Sequence, residues 1–341
     1  MFLILDPLRE YHVSLDTVAE VQEAMLRDSR IRTVKTNRVL AKATGRMLRL
    51  LKYAALRFPG ERNGTSTPDY IAVLMALDPR RCLPYFIFPG RKSVYLMDAW
   101  PNQLESIREF VNKFSVRHLF LSSSMAVEIL QKDLRECTVT WIPEAVDPEP
   151  YRFRPMKDKD IDVLQLGRKY DKLHEMILPV LEQNGWRYLF EKVRGKIVFP
   201  TREEFLDGLA RTKISICVPA NITHPECAGP IEVLSTRYLQ SMVSKCLVVG
   251  HAPAELVSLF GYNPVVEVDM KDPGGQILSL LDHLDAYASL IERNYETVTQ
   301  HHTWNHRWDM MARVLYSGQE GTASSGALSG TSPARESKTG S

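Results

Sequence analysis

The chain has 341 residues, 44% hydrophobic and 25% charged, which is long enough for two domains with full cores. Its formal net charge of +2 removes any global argument for nucleic-acid binding. Cys82, Cys137, Cys217, Cys227 and Cys246 are odd in number, widely spaced and without a CxxC, so a reducing compartment is expected rather than a disulfide framework or zinc site.

After Met1, FLILD is too short an apolar run for a signal peptide and has no basic residue before it. No window approaches the roughly 18 apolar residues of a spanning helix, so the expected location is cytoplasmic. FLILD reads as a first strand, followed by a helix over 15–27 and a strand over 31–36. Next comes a basic amphipathic helix, 38–57, with Arg38, Lys42, Arg46 and Arg49 at helical spacing and Leu40, Ala43, Met47, Leu50 and Ala54 opposite. It is either a solvated basic face whose apolar side packs on a sheet, or a peripheral contact for an anionic membrane or another acidic surface. Strands are expected over 70–75, 85–88 and 94–97, the last leading into Asp98-Ala99-Trp100-Pro101. A helix over 102–113, a strand over 118–121, a Ser-capped helix ending near 134 and a strand over 138–142 complete a strand–helix alternation.

The segment 143–160 carries four prolines and dense charge and reads as an interdomain linker. The alternation restarts with a strand over 161–166, Gly167, and a helix to 181. Strand-like pieces at 188–190 and 196–198 come before a helix over 202–211 that opens with a Thr201/Glu204 capping box. A strand over 214–218 leads into HPECAGPIEVLSTRYLQSMVSKCLVVG, read as a loop (224–229), a helix entered at Pro230 with Glu232 in its first turn, and a buried strand over 246–249. A strand over 264–268, helices over 275–285 and 288–300, and a terminal helix over 302–316 follow; beyond Ser317 the composition predicts a disordered tail. The pattern predicts an α/β protein of two doubly wound domains facing a cleft. The first spans 1–145 and the second 146–301, with 302–316 packing back on the first and the tail occupying 317–341.

GxGxxG after a strand, GxxxxGK[ST] and HExxH are all missing from the sequence. His301, His302 and His306 have no other ligand-type residues near them in sequence, so no metal is expected there.

Three pieces carry a resemblance to a known family. DVLQLGRKYDK (162–172) is similar to the first donor-domain strand of GT-B glycosyltransferases of the group-1, family-4 type, in the branch similar to spore-maturation glycosyltransferase-like proteins. GPIEVLSTRYLQSM resembles that family's loop and helix bearing two acids, and QHHTWNHRW resembles its closing helices. WIPEAVDPEPYRF is similar to the segment that precedes the donor domain. The likeness covers 140–315 well and the first 130 residues only through fold rhythm.

The resemblance implies a two-domain Rossmann-like fold and transfer of a sugar, of the hexosyltransferase type, from a nucleotide-diphosphate donor to a hydroxyl acceptor. It also implies retention of configuration and no metal or other cofactor, with the nucleotide sugar as co-substrate. Cations must then neutralise the leaving diphosphate, and Arg168 and Lys172 follow a strand's carboxyl end as such groups would. Gly167 would permit close backbone approach. Glu232 would reach the donor sugar, and Gln240, eight residues and about 12 Å further along, would meet the ribose. Gln240 stands where the family usually has Glu, and Lys245 where it usually has Gly. His224 and Glu226 are candidates to approach the donor sugar, and Arg237 to contact the donor. In the first domain Asp98 would orient the acceptor hydroxyl or sit near the reacting sugar, with Trp100 stacking on it. Expected partners are the nucleotide sugar, a glycan, lipid-linked or small-molecule acceptor, and no nucleic acid. The competing expectation is a catalytically silent nucleotide-sugar binder or assembly protein.

Overall fold

A computed structural model describes residues 1–5, 15–50, 57–61, 67–167, 169–193 and 196–317, without side chains at 38 and 48–50. Arg168, Ala54 and the tail beyond 317 lie outside the described residues, as do the side chains of Arg38, Arg49 and Leu50.

The first sheet is built from β1 (Phe2–Leu5), β2 (Arg32–Lys35), β3 (Asp69–Ala76), β4 (Arg91–Asp98), β5 (Val116–Leu121) and β6 (Thr138–Trp141). They lie side by side in the order β2-β1-β3-β4-β5-β6, every described pair parallel. Its helices are α1 (Asp16–Leu26), α2 (Arg38–Leu50), α3 (Leu104–Phe114) and α4 (Ser124–Leu130). Strand residues alternate between two apolar layers as the period of two requires. On β4, Val94 and Leu96 join the layer under α3, while Tyr95 and Met97 join the layer with α1.

The second sheet has the order β11-β10-β9-β7-β8, from β7 (Ile161–Gln165), β8 (Tyr188–Phe190), β9 (Thr212–Cys217), β10 (Leu247–Gly250) and β11 (Val266–Glu267). One face carries α6 (Arg202–Ala210), α9 (Thr236–Val243) and α10 (Ala254–Phe260). The other carries α5 (Asp171–Gln183) and α11 (Pro273–Asp282). Two short turns of helix, α7 (Ala220–Thr223) and α8 (Pro225–Ala228), precede α9.

The chain then runs through α12 (Ala288–His301) into α13 (Trp304–Tyr316). Trp304, Trp308, Met311 and Leu315 of α13 are buried in the α1 layer of the first sheet. Burying each such side chain is worth about 1.5–3 kcal/mol, so α13 is held firmly there. At the crossing, Val146 pairs with Thr303. The linker is pinned by Lys159, whose buried Nζ donates to the carbonyls of Thr212 (2.8 Å), Ser244 (2.9 Å) and Lys245 (3.0 Å). Among the described residues no helix is long and apolar enough to cross a membrane.

Several local expectations are corrected. Residues 85–88 form a single 3-10 turn, not a strand, with Phe86 sent into the core; Pro84 and Pro89 bracket too short a run to pair. Residues 196–198 belong to no strand, and Ile197 and Val198 instead line a cavity. α9 begins at Thr236, so Glu232 lies in a non-helical stretch before the helix and not in its first turn. α2 also turns the other way: Ala41 and Thr44 are buried, whereas Leu40 is 50% and Met47 44% exposed. Small residues face inward there because α2 packs on the tight turn Pro79–Cys82.

Candidate functional site

A cavity of about 360 Å³ lies between the domains at the carboxyl ends of both sheets, where open parallel sheets hold ligands. Its first-domain wall includes Thr17, Asp98, Trp100 and Glu144. Its second-domain wall includes Gly167, Phe199, Thr236, Arg237 and Gln240.

Asp98 is half-buried at the end of β4, opposite Ala76 of β3. Glu144 follows β6 in the same way and is buried. Its Oε2 accepts from the Thr236 backbone N–H at 2.7 Å and from the Thr236 hydroxyl, so a first-domain carboxylate caps α9 of the second domain. Thr17 Oγ1 of α1 donates to Thr236 Oγ1 at 3.2 Å, closing the same contact. Burial pushes the Glu144 carboxyl up to about 7; the Thr236 hydrogen bonds and Arg237 pull it down, and Asp98 adds to the rise.

Arg237 lies one residue inside α9, with Nη1 donating to the Leu166 carbonyl at 2.6 Å. This sets the guanidinium against the turn after β7 and explains Gly167. At φ +69° the backbone is left-handed, and a Cβ there would sit 2.9 Å from Arg237 Nη1. Gln240 is buried on the same helix and hydrogen-bonds the Tyr151 hydroxyl.

The cavity therefore brings together Asp98, Trp100, Gly167, Arg237 and Gln240 from the expected set. Glu232 is not among the lining residues: its Oε2 accepts from the Ala254 N–H at 2.7 Å, capping α10, and its Oε1 is 3.6 Å from His251 Nε2. Lys172 is exposed in the first turn of α5, and Glu226 is exposed on α8. His224 lies between α7 and α8, one residue beyond the cavity-lining Thr223. Lys245, at φ 51°, takes the left-handed conformation usually left to glycine. Its ammonium is held by Glu292 at 2.6 Å and lies over the Phe153 and Tyr295 rings.

Glu144 and Thr17 were missed in the sequence. The available signal for Glu144 was an acid close after a strand's carboxyl end, much as Asp98 closes its own strand, but it sat in a segment read as linker. A second carboxylate mirrors it. Glu255 of α10 accepts at 2.6 Å from both the N–H and hydroxyl of Ser124, the first residue of α4, and at 3.1 Å from Leu234 N–H. On the hinge side, buried Glu20 of α1 accepts from Asp147 N–H (2.9 Å), Tyr151 hydroxyl (3.2 Å) and Trp304 Nε1 (3.2 Å). Burial raises that carboxyl to about 8.

Among the described residues no group of three His, Cys, Asp or Glu side chains could hold a metal ion. His302 is buried against Phe260 and accepts from Arg307 at 2.9 Å, while His306 closes the capping box of α13. Chemically, one wall offers two carboxylates able to orient a hydroxyl or take its proton. The other offers the Arg237 guanidinium, a group suited to an anion, beside an α9 N-terminus that Glu144 already caps.

No protein-family model matches the chain, and no curated protein matches its sequence. Solved structures match its fold along nearly the whole length. HepE from Anabaena, in complex with UDP and glucose, is 10% identical, with 93% of this chain and 99% of that chain covered at a TM-score of 0.58. Sucrose-phosphate synthase from Thermosynechococcus elongatus is 11% identical, covering 94% and 99% at 0.58. A glycosyltransferase from Rickettsia africae is 12% identical, covering 93% and 97% at 0.54. The chain is thus an α/β protein of the GT-B architecture, two Rossmann-like domains facing a cleft.

Proposed function

We propose that the protein is a glycosyltransferase that moves a sugar, of the hexosyl type, from a nucleotide-diphosphate donor to an acceptor hydroxyl, with retention of configuration and without a metal. The observation that carries this reading is the division of charge in the cavity lining, with the Arg237 guanidinium from the second domain and the Asp98 carboxylate from the first. The fold adds support, since the similar HepE binds UDP and UDP-glucose.

In the reaction the bond from the sugar C1 to the diphosphate oxygen breaks and a bond from the acceptor oxygen to C1 forms. In a front-face route the departing phosphate oxygen takes the acceptor proton, so the negative charge to be met lies on the second-domain side. Arg237 supplies a positive charge at the cavity; Lys172, in the first turn of α5, and Arg168, next to Gly167 in the sequence, are the further cations of this reading. Asp98 orients the acceptor hydroxyl. Retention and metal independence rest on the family resemblance and on this supply of cations.

Thermal shift against UDP, GDP, ADP and TDP tests the donor half, because a ligand at 100 times its Kd stabilises by about 2.7 kcal/mol. Loss of response to all four would remove it. A second reading, a silent nucleotide-sugar binder, is favoured by the engagement of the Glu232 carboxylate as a cap of α10 and by Gln240 where an acid is usual. Nucleotide binding with neither donor hydrolysis nor transfer to any acceptor would decide for that reading.

A further inference from the structure

The outward turn of α2 exposes an apolar stripe. Val39 is 78% exposed, Leu40 50% and Met47 44%, and Ala43 is exposed between them. At 100° per residue these four fall on one side of the helix, and Lys42 and Arg46, both exposed, run along its border. The helix reads RVLAKATGRMLRL, without an acid, and exposed Arg32 and Lys35 lie on the strand leading into it. Thr44, on the inner side, returns its hydroxyl to the Leu40 carbonyl at 2.7 Å. α2 starts beyond the carboxyl end of β2, and Asp98 ends the parallel strand β4 at the same end of the sheet, so the start of α2 and the cavity share one rim of the sheet.

An outward row of Val, Leu and Met bordered by cations suits a surface that is apolar beneath and anionic above. A second copy fits less well. A twofold contact would set Lys42 and Arg46 of one chain near the same residues of the other, with no acid on the helix to offset them. From Val39 to Met47, at 1.5 Å per residue, the exposed stripe is about 12 Å long.

We propose that α2 docks the protein on an anionic lipid surface, and that the acceptor is a lipid-borne hydroxyl delivered along the rim shared by α2 and the cavity. The docking stands on α2 alone; the acceptor class rests on the glycosyltransfer reading.

The test is flotation of the full chain with phosphatidylcholine vesicles and with vesicles containing 30% phosphatidylglycerol (about 30 mol%), at low and high salt. Two variants accompany it, Lys42→Glu with Arg46→Glu, and Val39→Ser with Leu40→Ser, with the UDP thermal shift as an independent readout. Binding is expected on the anionic vesicles, weakened by salt, and at least about tenfold weaker in each double variant with the nucleotide response unchanged. The docking is overturned if wild type stays unbound to anionic vesicles at low salt or if both variants float like wild type. It is also overturned if the variants abolish a lipid-free dimer instead, or only a contact with an acidic protein. Docking without any nucleotide response would leave α2 as a lipid contact and remove the glycosyltransfer reading. Equal turnover on free and vesicle-borne acceptors would remove the acceptor class while sparing both.

Discussion

The two walls of the cleft are built on opposite principles. The first-domain wall carries the acids, with Asp98 as the last residue of β4 and Glu144 three residues past β6. The second-domain wall carries positive charge, the Arg237 guanidinium fixed on Leu166, next to an α9 N-terminus that Glu144 closes. Under the proposed function, the difference assigns the halves of the transfer: the anionic donor to the second wall and the neutral hydroxyl to the first.

Breaking the positive wall should have the largest effect. Arg237→Ala is expected to lower turnover by about 10²–10³-fold and to abolish the UDP thermal shift; an unchanged shift would move the donor elsewhere. Breaking the negative wall should look different. Asp98→Asn is expected to lower turnover about 10²-fold with the nucleotide response intact, measured by initial rates and thermal shift on the same preparation. Loss of both together would erase the distinction between the walls.

Gly167→Ala comes next. Forcing a Cβ into a left-handed backbone beside Arg237 should cost about 1–2 kcal/mol in stability and weaken UDP binding. Chemical denaturation checks the first and titration calorimetry the second.

The smallest effect is on pH dependence. Burial raises the Glu144 carboxyl to about 7 from an ordinary value of 4.5, so the folded protein holds a proton there that the unfolded chain releases earlier. That stabilising contribution is complete below about 4.5 and is lost as pH rises through about 7. Glu20 extends the loss toward about 8. Glu144→Gln should therefore raise Tm relative to wild type at pH 8 and leave it similar at pH 5. A constant difference at both pH values would show that the carboxyl does not titrate in that window.

The contrast between the walls also separates what the residues disclosed from what they did not. The strand–helix order was readable because apolar runs and turn residues are local signals, as with Asp162–Gln165 followed by Gly167. The start of α9 was not. Pro230 and Glu232 form a plausible helix entry, but the cap that sets the true start comes from Glu144, 92 residues away. The direction of α2 was hidden for a related reason: spacing shows which side chains share a face, and only packing against the turn Pro79–Cys82 decides which face is inward. Gly167 was flagged as a place for close approach, but the group that approaches, Arg237, became visible only in the fold.

The two carboxylate caps have a mechanical consequence. Glu144 closes the end of a helix in the opposite domain, and Glu255 does the same in return at Ser124. Separating the domains thus uncovers one helix end on each side in a single event, so the cleft should open cooperatively rather than hinge freely. Amide hydrogen exchange at Thr236 and Ser124 should rise together when Thr17 and Glu144 are weakened, although only one of the two helices has been touched.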